Sequence, residues 1–247
     1  MQAYALTDVG KCRSMNQDYI YCFTTPVGSL DNLFIVADGM GGHKAGDYAS
    51  RFAVEYLVGF FEGRSSEKDV DTLLKEGITR MNRELYNRAS REPEMSGMGS
   101  TLVAATIKDG ELYVANIGDS RLYLLREELE QVTRDHSYVE ELVARGKMKR
   151  GSRDYLEYKN IITRAVGTAE TVEIDLFTFK LKEKDHILMC SDGLSNMVDE
   201  LEIEYIIRTE ETLEHRVKAL VEAANRGGGK DNISVILIEP QSHEVSL

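Results

Sequence analysis

The stretch Leu33-Phe34-Ile35-Val36-Ala37-Asp38-Gly39-Met40-Gly41-Gly42-His43 sets a short apolar run directly against an acidic residue and a cluster of glycines. A run of this length bounded by turn residues reads as a buried strand, Leu33 to Ala37, that delivers Asp38 to its end. Outward from it the same pattern repeats. Thr101 to Ile107, Leu112 to Ile117, Leu122 to Leu125, His186 to Cys190 and Ile233 to Ile238 are further short runs, and Val172 to Leu181 largely alternates apolar with polar. Lys108-Asp109-Gly110 offers a tight turn between two of them, so hairpins and antiparallel sheet are expected. Ala49, Phe52, Ala53, Tyr56, Leu57 and Phe60, then Leu74, Ile78, Met81 and Leu85, keep the spacing of amphipathic helices. A second helical pair, Glu200 to Arg208 and Leu213 to Ala224, is stopped by Gly227 to Gly229. Two helix pairs, each with one apolar stripe, can cover the outer faces of two packed sheets. The fold predicted is therefore α+β, a four-layer α/β/β/α sandwich with two mainly antiparallel sheets. No linker interrupts the chain, and a single domain over residues 1–247 is expected.

Composition agrees with a globular chain: of 247 residues 42% are hydrophobic and only 3 are Pro, enough apolar material for a sizeable core. No apolar run approaches the ~20 residues a membrane span needs, and the start "MQAYALTDVG" lacks a signal-peptide pattern. A cytoplasmic address is the expectation. Cys12, Cys22 and Cys190 stand at unrelated spacings, which argues against a disulfide framework or a structural zinc site. The net charge of −12 disfavours a nucleic acid or an anionic membrane as partner, because binding by counterion release needs clustered Lys and Arg. A monomer is expected.

Asp38 in "VADGMGG", Asp119 in "NIGDSR", Asp192 in "CSDG" and Asp231 in "GKDN" each sit where a strand ends or begins, beside a small or turn-forming residue. Taken singly, each reads as an ordinary strand-ending turn. Together they carry more weight. Carboxylates at strand ends can converge on one cleft, where they repel one another unless a cation sits among them, and oxygen-only ligation selects Mg²⁺ or Mn²⁺. A glycine after Asp38 would also let its own carbonyl approach a metal.

At these residues the chain resembles the metal-dependent protein phosphatase family, type 2C, particularly its bacterial members. The resemblance covers nearly the whole chain and is carried, in family order, by Arg13-Ser14-Met15-Asn16-Gln17-Asp18, Asp38-Gly39-Met40-Gly41-Gly42-His43, Gly99-Ser100-Thr101, Asn116-Ile117-Gly118-Asp119-Ser120-Arg121, Asp135-His136-Ser137, Ser191-Asp192-Gly193 and Asp231-Asn232. It implies hydrolysis of phosphoserine and phosphothreonine on proteins, opposing a cognate Ser/Thr protein kinase. It also implies a binuclear Mn²⁺ or Mg²⁺ centre. Asp38, Asp192 and Asp231 would serve one ion, and Asp18, Asp38 and the carbonyl of Gly39 the other, with Asp38 bridging. Asp119 matches a position that, with Asp192, helps hold a third ion in bacterial members. Two cations can lower the pKa of a bridging water toward neutrality and supply the attacking hydroxide. Arg13 would grip the phosphoryl oxygens, as a guanidinium does bidentately. His43 could protonate the departing alkoxide near pH 7; some family members carry a histidine directly after the Asp-Gly pair, where this chain has Met40, so His43 reads either as a displaced substitute for it or as a substrate contact. A flap subdomain is implied around residues 137–171. Its basic residues Arg145, Lys147, Lys149, Arg150, Arg153, Lys159 and Arg164 form either a solvated face or a steering surface for phosphorylated substrates.

Rival chemistries fit poorly. A cysteine phosphatase needs Arg six positions after its nucleophile, where Cys12, Cys22 and Cys190 are followed by Asp18, Gly28 and Asn196. Asp69-Val70-Asp71 resembles a D-x-D motif but reads as the acidic start of a helix. Gly227-Gly228-Gly229-Lys230 lacks the Ser or Thr and the preceding strand of a P-loop. An inactive binding protein of the same fold should have lost metal ligands, and here the carboxylates and Arg13 are intact.

Overall fold

The computed structural model describes residues 1–42, 45–64 and 69–240. In chain order the elements are β1 (Gln2–Asp8), β2 (Asp18–Phe23), β3 (Leu33–Met40), α1 (Ala45–Glu62), α2 (Val70–Arg91), β4 (Gly99–Ser100), β5 (Leu102–Lys108), β6 (Glu111–Ile117), β7 (Arg121–Leu125), β8 (Leu129–Gln131), α3 (Tyr138–Ala144), α4 (Arg153–Tyr158), β9 (Asp175–Lys180), β10 (His186–Cys190), α5 (Asp192–Ser195), α6 (Glu200–Thr209), α7 (Leu213–Arg226) and β11 (Ile233–Glu239). One sheet runs β1-β11-β10-β7-β8 and the other β2-β3-β5-β6-β9, with β4 paired to β3. Every described ladder is antiparallel.

Alternation along the central strands builds the layers. In β3, Leu33, Ile35 and Ala37 point toward α1 and α2, packing with Leu57, Leu74 and Ile78. Phe34 and Val36 point the other way and meet Leu122, Leu124, Ile187, Met189, Ile236 and Ile238 of the opposite sheet. That sheet turns Tyr123, Leu188, Val235 and Leu237 outward onto Ile203, Val217 and Leu220 of α6 and α7. Three apolar interfaces thus separate four layers. This double burial explains why the central strands read as unbroken apolar runs.

Local chemistry sets the boundaries. Asp109 (φ 52°) and Gly110 (φ 76°) both adopt left-handed backbone in the β5–β6 hairpin, as a two-residue turn requires. Asp69 accepts from Thr72 N at 2.9 Å and caps α2, so the acidic pair there is a helix start. The Gly227 N–H bonds back to the Ala223 carbonyl at 2.8 Å and closes α7. None of the described helices is long and apolar enough to cross a membrane.

Candidate active site

β2 and β3 are registered so that Asp18 lies directly opposite Asp38. Like charges opposed across a ladder repel, and the surrounding bonds hold them there. The Asp38 backbone is clamped on both sides: its N–H donates to Thr101 Oγ1 at 2.9 Å, and its carbonyl accepts from Thr101 N at 2.8 Å and Ser100 Oγ at 3.0 Å. Asp18 is buried, and its Oδ2 accepts from Ser191 Oγ at 2.7 Å. Asp192 opens the short helix α5 immediately after β10, where Asn196 Nδ2 donates to its Oδ2 at 2.9 Å. Gly193 behind it is obligatory, since a Cβ would lie 1.9 Å from the Asn232 carbonyl oxygen. Asp231 precedes β11. Its Oδ2 accepts from Arg13 Nη2 at 2.8 Å, which brings the predicted phosphate-binding guanidinium to the carboxylates.

One oxygen of Asp18, one of Asp119 and one of Asp192 are buried without any hydrogen-bond partner. Buried acceptors left unpaired cost free energy. Burial is the largest influence on each acid, and the neighbouring carboxylates add to it. Asp18 is pushed up to about 7, Asp192 to about 6 and Asp119 to about 8. Asp38 is raised well above the usual carboxylate range by burial, then by Asp18, Asp192, Asp119 and Asp231. That mutual influence places the five acids in one electrostatic neighbourhood. Among the described residues no three such groups are drawn up into a closed ligand set. Carboxylate oxygens that are buried, unpaired and mutually repelling fit a hard divalent cation such as Mg²⁺ or Mn²⁺.

Gly39 follows Asp38 for a reason the sequence did not reveal. A Cβ there would stand 2.0 Å from the Gly46 carbonyl oxygen, so its bare backbone lets the first turn of α1 close onto β3. His43 lies outside the described residues.

Asp119 follows Gly118, whose φ of 103° and contact with Thr101 exclude a side chain. The motif Asp135-His136-Ser137 braces this turn. His136 Nδ1 accepts from Gly118 N at 3.0 Å, so Nε2 carries the proton and faces Asp175 at 3.2 Å. Asp135 takes the part-buried Arg121 guanidinium, with the closest contact 2.6 Å, and Ser137 caps α3. Beside Asp119 and Asp192 a polar cavity of about 140 Å³ is walled by Tyr155, Leu156 and Lys159 of the α3–α4 segment. Lys159 Nζ donates to Asn196 Oδ1 at 2.7 Å, and through Asn196 the segment reaches Asp192. Several of the basic residues are engaged locally: Arg145 with Glu141, Arg150 with Glu140, and Arg164 with Asp175 and Glu173. Ser191 stands in a motif read from the sequence, but its bond to Asp18 spans most of the chain and left no local signal, whereas Asn196, four residues after Asp192, reaches it only because the chain turns there as α5.

Comparison with known proteins gives consistent matches. The family model described as "Protein phosphatase 2C" matches residues 11–228. The serine/threonine phosphatase stp of Listeria monocytogenes is 40% identical over 245 residues, covering 97% of this chain and 96% of that protein. The crystal structure of serine/threonine phosphatase Stp1 from Staphylococcus aureus superimposes with a TM-score of 0.90 at 34% identity, covering 98% of this chain and 95% of that one. The catalytic domain of the serine threonine protein phosphatase PstP, in complex with two manganese ions, superimposes with a TM-score of 0.82 at 33% identity, covering 96% of each chain.

Proposed function

The chain belongs to the protein phosphatase 2C family, and from that premise we propose how it carries out metal-dependent hydrolysis of phosphoserine and phosphothreonine on proteins. The observation that carries the reading is the set of buried carboxylates at strand ends with unpaired oxygens. Asp38, Asp192 and Asp231 would hold one Mn²⁺ or Mg²⁺. Asp18, Asp38 and the Gly39 carbonyl would hold a second, and Asp119 with Asp192 a third. Such cations supply Lewis acidity, bringing a water's pKa toward neutrality and offsetting charge that develops on the phosphoryl oxygens.

The chain's own groups do the rest. The clamped backbone of Asp38 and the Ser191 hydroxyl on Asp18 fix the direction of the acidic side chains, so little reorganisation accompanies reaction. Arg13 is half exposed and carries a permanent charge, suiting it to bind phosphoryl oxygens at the mouth of the cluster. The leaving serine or threonine alkoxide needs a proton, and His43 is the group assigned to deliver it. The α3–α4 segment, continuous with the cleft through Leu156 and Lys159, is the flap on which a phosphorylated protein would rest. Phosphorylated proteins and the opposing Ser/Thr kinase are the partners proposed, in the cytoplasm.

A phosphopeptide assay with serine, threonine and tyrosine phosphates tests this reading. Phosphate should be released from the serine and threonine peptides, stop on addition of EDTA and resume with Mn²⁺. Release indifferent to EDTA would contradict it.

A further inference from the structure

Arg13 sits on the loop joining β1 to β2, a segment with no regular structure of its own, yet its guanidinium is held at a defined place. The described contacts converge on Asn232. This side chain is buried, 3% exposed, and it uses both faces of its amide on the loop. Its Oδ1 accepts from Gln17 N at 2.8 Å, and its Nδ2 donates to the carbonyls of Val9 at 3.0 Å and Met15 at 2.9 Å. The three bonds grip the loop at both ends, on either side of Arg13. Only an amide supplies two donors and one acceptor in that arrangement; a carboxylate would face two carbonyl oxygens with no proton to give. Nearby, the Gly229 carbonyl accepts from Lys11 N at 2.8 Å and Cys12 N at 3.1 Å. Gly10 lies so close that a Cβ there would stand 2.2 Å from the Asp231 carbonyl oxygen.

We propose that Asn232 is the positioning residue for Arg13: by pinning residues 9–17 against the turn that leads from Asp231 into β11, it sets the guanidinium where a phosphoryl group must arrive. The proposal rests on the phosphatase reading above. Its physical basis is that a long side chain on a loop is only as well placed as its backbone. Displacement by about 1 Å at such a contact can lower efficiency by about 10²-fold. Asn232 itself does not need to touch substrate.

The test is a double-mutant cycle between Asn232→Ala and Arg13→Ala, measured as kcat and KM on a phosphoserine peptide in Mn²⁺, with Mn²⁺ affinity measured separately by calorimetry. Asn232→Ala should raise KM by about 10- to 100-fold, with the loss falling on KM rather than kcat and with Mn²⁺ affinity retained. The double variant should be no worse than Arg13→Ala alone, because residues acting as one unit do not add. Losses that add in the double variant would overturn the proposal. So would an unchanged KM with weakened Mn²⁺ binding, which would assign Asn232 to Asp231 instead. If Asn232→Ala does not fold, Asn232→Ser, which keeps one hydroxyl in place of the amide's three bonds to the loop, enters the same cycle with the same two outcomes. Failure of the phosphatase reading would show differently, as wild-type protein that releases no phosphate.

Discussion

A carboxylate opposite a carboxylate, one buried and the other part-buried, is an arrangement that folding alone would remove. Asp18 and Asp38 stand in that relation, and each is raised by burial and by the other acids. Asp38→Asn keeps the shape and removes the charge. The variant should lose about three or more orders of magnitude in kcat, while its melting temperature in EDTA stays at or above that of wild type because one repelling charge has gone. Steady-state kinetics and thermal melts check both halves. His43→Ala tests the proton donor proposed for the leaving group. It should slow hydrolysis of a phosphoserine peptide by about 10²-fold or more, yet hardly affect an aryl phosphate, whose leaving group departs without a proton. Equal slowing of both would remove His43 from that role.

Between residues and layers lie the junctions where one element starts on another. Gly39 and Gly46 meet backbone to backbone, so Gly39→Ala should destabilise the protein by at least about 1–3 kcal/mol, read from urea unfolding. Much of this scale was legible beforehand. The strands over Leu33 to Ala37, Leu112 to Ile117 and His186 to Cys190 and both helix pairs showed because double burial makes runs and single burial makes stripes. β1 and β2 went unread because they are largely half-exposed, and "QAYALTD" and "DYIYCF" mix apolar and polar residues. The Asp-Gly and Gly-Asp turns announced the acidic positions. What they could not announce was the support beneath them: Thr101 under Asp38, Ser191 under Asp18 and Asn196 beside Asp192. The first two contacts depend on register between segments far apart in sequence, and the third on the chain turning as α5 after Asp192.

For the molecule as a whole, the buried acids tie stability to pH. Their native pKa values lie above the unfolded value of about 4, reaching about 6 for Asp192, 7 for Asp18 and 8 for Asp119. The native state therefore binds protons that the unfolded chain has released, and stability must fall as pH rises from about 4 to about 8. Thermal melts in EDTA across that range should show a falling melting temperature. Millimolar Mn²⁺ should abolish most of the fall above pH 7, because a cation bound only by the native state takes the place of the protons. The central claim is that the carboxylates carried by the ends of both sheets form one cation site. Diffraction at the manganese absorption edge, from crystals grown with Mn²⁺, addresses it most directly. The result expected is anomalous density within about 2 Å of Asp38 and of at least two among Asp18, Asp192 and Asp231; anomalous density elsewhere, with these side chains facing no ion, would contradict it.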